Sequence, residues 1–125
     1  PRALPDRYAL LGYAPGLAPS LDLAGEQFAC VLHDPFETTL IVRSDLVESL
    51  PSPATRLDDR RVILLEGKLG DDLYGFMAAI TAAIAAHGIW LLAVGAATRD
   101  HLLVADDQLD GALGALHALA QSHQP

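Results

Sequence analysis

Cysteine is nearly absent from this chain. Cys30 is the only one in 125 residues, so an intramolecular disulfide is impossible and a cysteine-rich metal centre is excluded. Basic residues are scarce as well. Eight Lys and Arg stand against 16 Asp and Glu, a formal charge of −8. Nucleic-acid binding needs clustered cations to meet phosphates, yet only Arg60 and Arg61 are adjacent, and Asp58 and Asp59 precede them. The acidity serves solubility rather than a particular partner. Aromatic residues make up 6%, which argues against a carbohydrate or stacked-base platform. Long apolar runs are missing too, although 51% of the residues are hydrophobic. A membrane span takes ~20 apolar residues in a row. The longest candidate, residues 73–86, is broken by Gly75 and Thr81 and stops at His87-Gly88. No basic region followed by an apolar stretch opens the chain as a signal peptide would. A start at Pro1, with Met77 the only methionine, is what removal of an initiator Met would leave. The expected address is the cytoplasm, with neither nucleic acid nor membrane as partner.

What is present is a regular central stretch. Residues 62–66 (VILLE) read as a strand, and 67–72 (GKLGDD) turn the chain. Asp71 or Asp72 can cap the next helix, whose N-terminus favours negative charge. That helix is expected from about Leu73 to Ala86, with Leu73, Phe76 or Met77, Ile80 and Ile84 on one face. Its other face, Gly75, Ala78, Ala79, Ala82 and Ala85, is small and uncharged, so something should cover it. Gly88 fits the left-handed position that ends a helix. Residues 89–94 (IWLLAV) are apolar on both faces, the pattern of an interior strand. A turn at 95–99 leads to a strand at 101–105. A last helix then follows an Asp106 or Asp107 cap, with Leu109, Ala112, Leu113, Leu116 and Ala120 as its buried stripe.

Upstream, residues 7–12 (RYALLG) read as a strand. Pro15, Gly16 and Pro19 then punctuate the chain too heavily for a regular helix. Residues 27–33 and 38–43 form a hairpin across Asp34-Pro35-Phe36-Glu37. Ser44 is a candidate N-cap for one or two helical turns over 45–50, and 54–60 reads as a polar link. The second half is thus β-α-β-β-α, a split ferredoxin-like unit. The first half repeats the layout with its first helix reduced to the Pro/Gly loop.

Chemistry-bearing motifs are thin. Gly67-Lys68-Leu69-Gly70 lacks the ending and spacing of a phosphate-binding loop. Cys30 and His33 invite a nucleophile–base pair, but strand positions three apart point to opposite faces. The five histidines, at 33, 87, 101, 117 and 123, show no paired metal-ligand spacing. No catalytic, metal or cofactor site is legible, and no enzyme is expected.

With these residues placed, the chain resembles the ACT family of small-molecule-sensing domains. It looks closest to small bacterial proteins akin to the arginine-sensing CASTOR proteins. The matching stretches are YALL at 8–11, the hairpin around Phe28 and Leu40, VILLEGKLG at 62–70, LYGFMAAITAAIAAHGIWLLAV at 73–94 and DHLLV at 100–104. The resemblance implies an α+β fold of tandem ferredoxin-like units, residues 1–60 and 61–125, joined in one compact domain. It also implies helices packed on an antiparallel sheet, edge pairing of sheets in a homodimer, and an amino acid or similar effector as ligand.

By position, the family's pocket falls on Leu69, Asp71, Asp72, Leu73, Tyr74 and Gly75, and on the second turn with Gly95, Ala96, Thr98 and Asp100. Helix N-terminal amides can receive a carboxylate there, and Asp71, Asp72 or Asp100 an ammonium group. Each has a plainer reading: Asp71 and Asp72 as helix caps, Tyr74 as a packing residue, Asp100 as the anchor of a turn. Relatives carry a hydroxyl-rich second turn, whereas this chain has Gly95-Ala96-Ala97-Thr98-Arg99-Asp100. The expected function is a regulatory amino-acid-binding domain; the alternative is a structural or interaction domain of the same fold with a degenerate pocket.

Overall fold

The computed structural model describes residues 1–17, 19–65 and 75–122. It divides into two compact units, one of Asp6–Arg60 and one of Pro1–Pro5 with Arg61–Pro125.

In the Asp6–Arg60 unit, β2 (Tyr8–Tyr13), β3 (Cys30–His33), β4 (Thr38–Arg43) and the first half of β5 (Thr55–Leu65) form a sheet in the order β3-β4-β2-β5. The pairings are antiparallel. A 3-10 helix, Ser44–Ser49, follows β4. The alternation of β2 and β4 puts Ala9, Leu11, Tyr13, Leu40 and Val42 on one face, where they bury against Val47. On the other face Tyr8 meets Phe28 edge to face at 5.6 Å. Gly12 sits opposite Thr55, so close that a side chain there would strike the Thr55 hydroxyl. Arg43 grips Glu26 with two donors, Nε at 2.8 Å and Nη2 at 3.1 Å, and Asp45 with Nη1 at 2.8 Å. These contacts pin Glu26 of the segment between β2 and β3, from which Leu21 packs against the Val47 cluster.

The other unit has β1 (Arg2–Ala3), the second half of β5, α1 (Phe76–Ala86), β6 (Leu92–Gly95), β7 (Asp100–Ala105), a 3-10 turn at Asp106–Gln108 and α2 (Leu109–Ser122). Its strand order is β1-β5-β7-β6. This is the order of a ferredoxin-like sheet, with β1 in the place of the strand that would follow α2. Both helices pack on one face: Ile80 and Ile84 of α1, and Leu109, Ala112, Ala115 and Leu116 of α2, bury against Ile63, Leu65, Leu102 and Val104. A Schellman motif closes α1. Gly88, at φ 66°, donates to the Ala85 carbonyl at 2.9 Å, and Ile89 to that of Ile84 at 3.4 Å. Among the described residues no helix is long and apolar enough to cross a membrane.

Several expectations change. Residues 55–60 are not a polar link but the first half of an 11-residue strand. All but Leu57 are polar because four of these six are exposed, and pairing with β2 decides their conformation. The register slips by one residue opposite Tyr8–Leu10, and Asp59 takes φ 56° there. This bulge resets the alternation before the apolar Val62, Ile63, Leu64 and Leu65. The strand expected over 27–33 is only Cys30–His33. Ser44 lies within its 3-10 helix rather than capping it; Arg43 is the N-cap, without a side-chain bond.

Residues 89–94 do not form an interior strand: β6 is Leu92–Gly95, at the end of the order, while β7 buries Leu102, Leu103 and Val104 in succession. The α2 stripe runs through Ala115, and Ala120 is exposed.

Two substitutions test this packing. The buried Tyr13 hydroxyl donates to the Pro51 carbonyl at 2.8 Å, so Tyr13→Phe should lower unfolding free energy by about 1 kcal/mol. Burial also pushes this phenol up from its ordinary 10.0. The unfolded chain therefore loses the proton first, and stability that is full below pH 10 declines above it. The variant should lack that share of the alkaline decline in urea titrations. Asp59→Val should cost roughly 1–2 kcal/mol through its left-handed backbone, whereas Asp59→Gly should leave stability equal or higher. Equal losses for both would contradict the bulge.

Candidate ligand site

Two ties orient the Pro1–Pro5 and Arg61–Pro125 unit. Arg61, entering this part of β5, reaches Asp106 just beyond β7 at 3.3 Å. Gln108 accepts from the Trp90 amide at 3.2 Å and donates to the Gly88 carbonyl at 3.4 Å, so the C-terminus of α1 lies at the same end. β5 therefore runs against β7. The opposite end of the sheet collects Leu65, the start of α1 and the β6–β7 turn. Lengths agree: 11 helical residues span about 16 Å, and the six of β7 about 17 Å from Asp100 to Ala105.

At that end α1 begins behind Gly75, which is N-cap in the left-handed conformation, φ 86° and ψ −7°. Ala79 makes the first ladder bond, to the Gly75 carbonyl at 2.9 Å. The amides of Phe76, Met77 and Ala78 precede any carbonyl four residues back within the helix. No acidic residue lies in the first turn, and among the described residues no side chain caps it. The described helix thus starts three residues later than expected. Only glycine adopts this backbone without strain, and that is the signal in the sequence which could have placed the start.

The β6–β7 turn is closed by the Ala96 amide donating to the Arg99 carbonyl at 2.8 Å, with Gly95 and Asp100 paired at its mouth. A Cβ on Gly95 would come within 3.3 Å of Asp100 Oδ1, so the carboxylate lies over a position without a side chain. Ala96, Ala97, Thr98 and Arg99 are exposed, and Asp100 is half-buried. Of the expected site, Gly75, Gly95, Ala96, Thr98 and Asp100 fall at one end of one sheet. Leu69, Asp71, Asp72, Leu73 and Tyr74 lie outside the described residues, and with them the capping roles read for Asp71 and Asp72. The first-turn amides of Phe76, Met77 and Ala78 lie at the same end. The arrangement suits a small zwitterion: amide donors for a carboxylate, a carboxylate for an ammonium group.

Elsewhere, Cys30 is half-buried and burial pushes its thiol up, the reverse of an activated nucleophile. His33 turns its Nδ1 to the Thr38 hydroxyl at 2.7 Å instead. No group of three His, Cys, Asp or Glu among the described residues is placed to hold a metal ion.

No curated protein matches this chain at a significant level. Among solved structures, a crystal structure of a protein from Agobacterium tumefaciens superposes with TM-score 0.80 and 18% identity, over 95% of this chain and 90% of that one. The ligand-free regulatory subunit of aspartate kinase from Thermus thermophilus gives 0.62 and 14%, over 94% and 95%. Aspartate kinase from Clostridium acetobutylicum gives 0.68 and 9%, over 91% of this chain and 33% of that one. At such identities the likeness is one of fold: α+β, ferredoxin-like, with helices on an antiparallel sheet. The family model of the ACT domain matches residues 57–118, which contain all of α1, β6 and β7, most of β5 and the first part of α2. Residues 57–118 of this chain belong to the ACT domain family.

Proposed function

We propose that the chain is a regulatory module that binds a free amino acid at the end of the sheet where α1 starts and β6 turns into β7. The observation that carries this is the α1 N-terminus, which no described side chain caps, at the same end as the Asp100 carboxylate. The α-carboxylate would accept from the Phe76, Met77 and Ala78 amides. Asp100 would take the ammonium group, with Leu69, Asp71, Asp72, Leu73 and Tyr74 completing the wall. Two solved neighbours, an aspartate kinase and the regulatory subunit of another, are consistent with an effector-binding role. The work is recognition rather than catalysis, without a cofactor.

The Asp6–Arg60 half is proposed as a second, reduced ACT-like unit, making a tandem of the CASTOR kind with residues 1–60 and 61–125 as its halves. Its strand order β3-β4-β2-β5 is that of a ferredoxin-like sheet, with a loop at 14–29 in place of one helix and six 3-10 residues in place of the other. A homodimer is proposed through the outer face of α1. Ala78, Ala82 and Ala85 are exposed there, and α1 carries no charge.

The second reading, an interaction domain with a degenerate pocket, is favoured by one feature. The turn Gly95-Ala96-Ala97-Thr98 offers a ligand a single hydroxyl.

A thermal-shift screen against the common amino acids separates the two. At a hundredfold excess over Kd the binder gains about 2.7 kcal/mol. Asp100→Ala should abolish that gain while leaving the apo midpoint within a few degrees. A flat response to every amino acid from well-folded protein supports the degenerate pocket. For the dimer, light scattering should report twice the chain mass, and Ala82→Glu should halve it. A monomeric parent overturns the interface.

A further inference from the structure

Three of the exposed large apolar side chains lie on the β3–β4 hairpin, which has no role in the site proposed above. Phe36 at its tip is 82% exposed, Leu32 61% and Val31 50%. β3 ends the strand order of its sheet, and β4 is its partner. Leu32 and Val31 point to opposite faces, so both faces of an edge strand are apolar and wet. Natural edges are usually guarded by lysine, proline, a bulge or an inward charge. Cys30–His33 has none of these, and its register with β4 is regular from Cys30↔Ile41 to His33↔Thr38.

We propose that the β3 edge docks an extended, apolar segment of another protein that carries Lys or Arg, added as a further strand. Charge decides the occupant. Residues 30–40 (CVLHDPFETTL) hold Asp34 and Glu37 and no Lys or Arg. The Asp34 carboxylate is used inside its own turn, accepting from the Phe36 amide at 2.7 Å and the Glu37 amide at 2.9 Å. Glu37 is exposed and forms no ion pair among the described residues. A second copy paired along this edge would bring two more carboxylates to it, in a chain already at −8. A basic strand would place a cation beside Glu37 while its apolar residues cover Val31 and Leu32.

The test titrates the full chain with two capped heptapeptides, Thr-Val-Lys-Val-Lys-Val-Thr and the same peptide with Glu for Lys, followed by amide chemical shifts. The lysine peptide should move the amides of residues 30–33 and bind about tenfold more tightly than the glutamate peptide. Glu37→Gln should narrow that ratio. Leu32→Glu, at an exposed position, should abolish binding with the melting midpoint unchanged. Failure of both peptides to bind overturns the proposal, and so does equal binding of the two. A parent that sediments as a dimer and becomes monomeric on Leu32→Glu overturns it in favour of a second copy.

Discussion

β5 is the strand on which the rest depends, because each unit needs a different part of it. Residues 55–60 pair with β2, and residues 63 and 64 pair with β1. A single strand of uniform alternation has one choice of which side chains face the core. The extra residue at the bulge gives it a second choice. Asp59 can hold the left-handed backbone there because a short polar side chain tolerates it. Arg60 donates to the Asp58 carbonyl at 3.0 Å, and Arg56 binds the Asp58 carboxylate at 2.8 Å, which braces the bulge from both sides. Beyond it, Ile63 and Leu65 receive the helices.

That packing positions the site. Ile80 and Ile84 hold α1 on the sheet, the Schellman motif at Gly88 stops it, and Gln108 ties its end to the chain beyond β7. With one end of α1 fixed, its N-terminus is delivered to the end of the sheet where β6 turns. The turn and the first-turn helix amides are thus set at one end of the sheet by the core rather than by contacts of their own.

Much of this was legible. Thr38–Arg43 stands as a strand with the bounds its β-branched run implies, and Gly88 ends α1 as glycine at that position should. The α2 stripe was readable from Leu109 to Leu116 by period. What was not legible has physical causes. Residues 55–60 carry polar side chains because most of them face water, so hydrophobic pattern is silent about pairing. The run at 89–94 is apolar on both faces, and that pattern cannot tell an interior strand from the edge strand that β6 is. The family resemblance pointed to two turns as the candidate site; the start of α1 was readable from Gly75, whose left-handed backbone sets it, but the polar residues before it suggested an earlier start.

The central claim is that the start of α1 and the β6–β7 turn act together on one small zwitterion. Amide chemical-shift mapping of the full chain, titrated with the amino acid that binds best, tests it most directly. The account predicts concerted shifts at Phe76, Met77 and Ala78 and at residues 95–100, following one binding curve. Saturable shifts confined to other parts of the chain, with both of these segments unmoved, would contradict it.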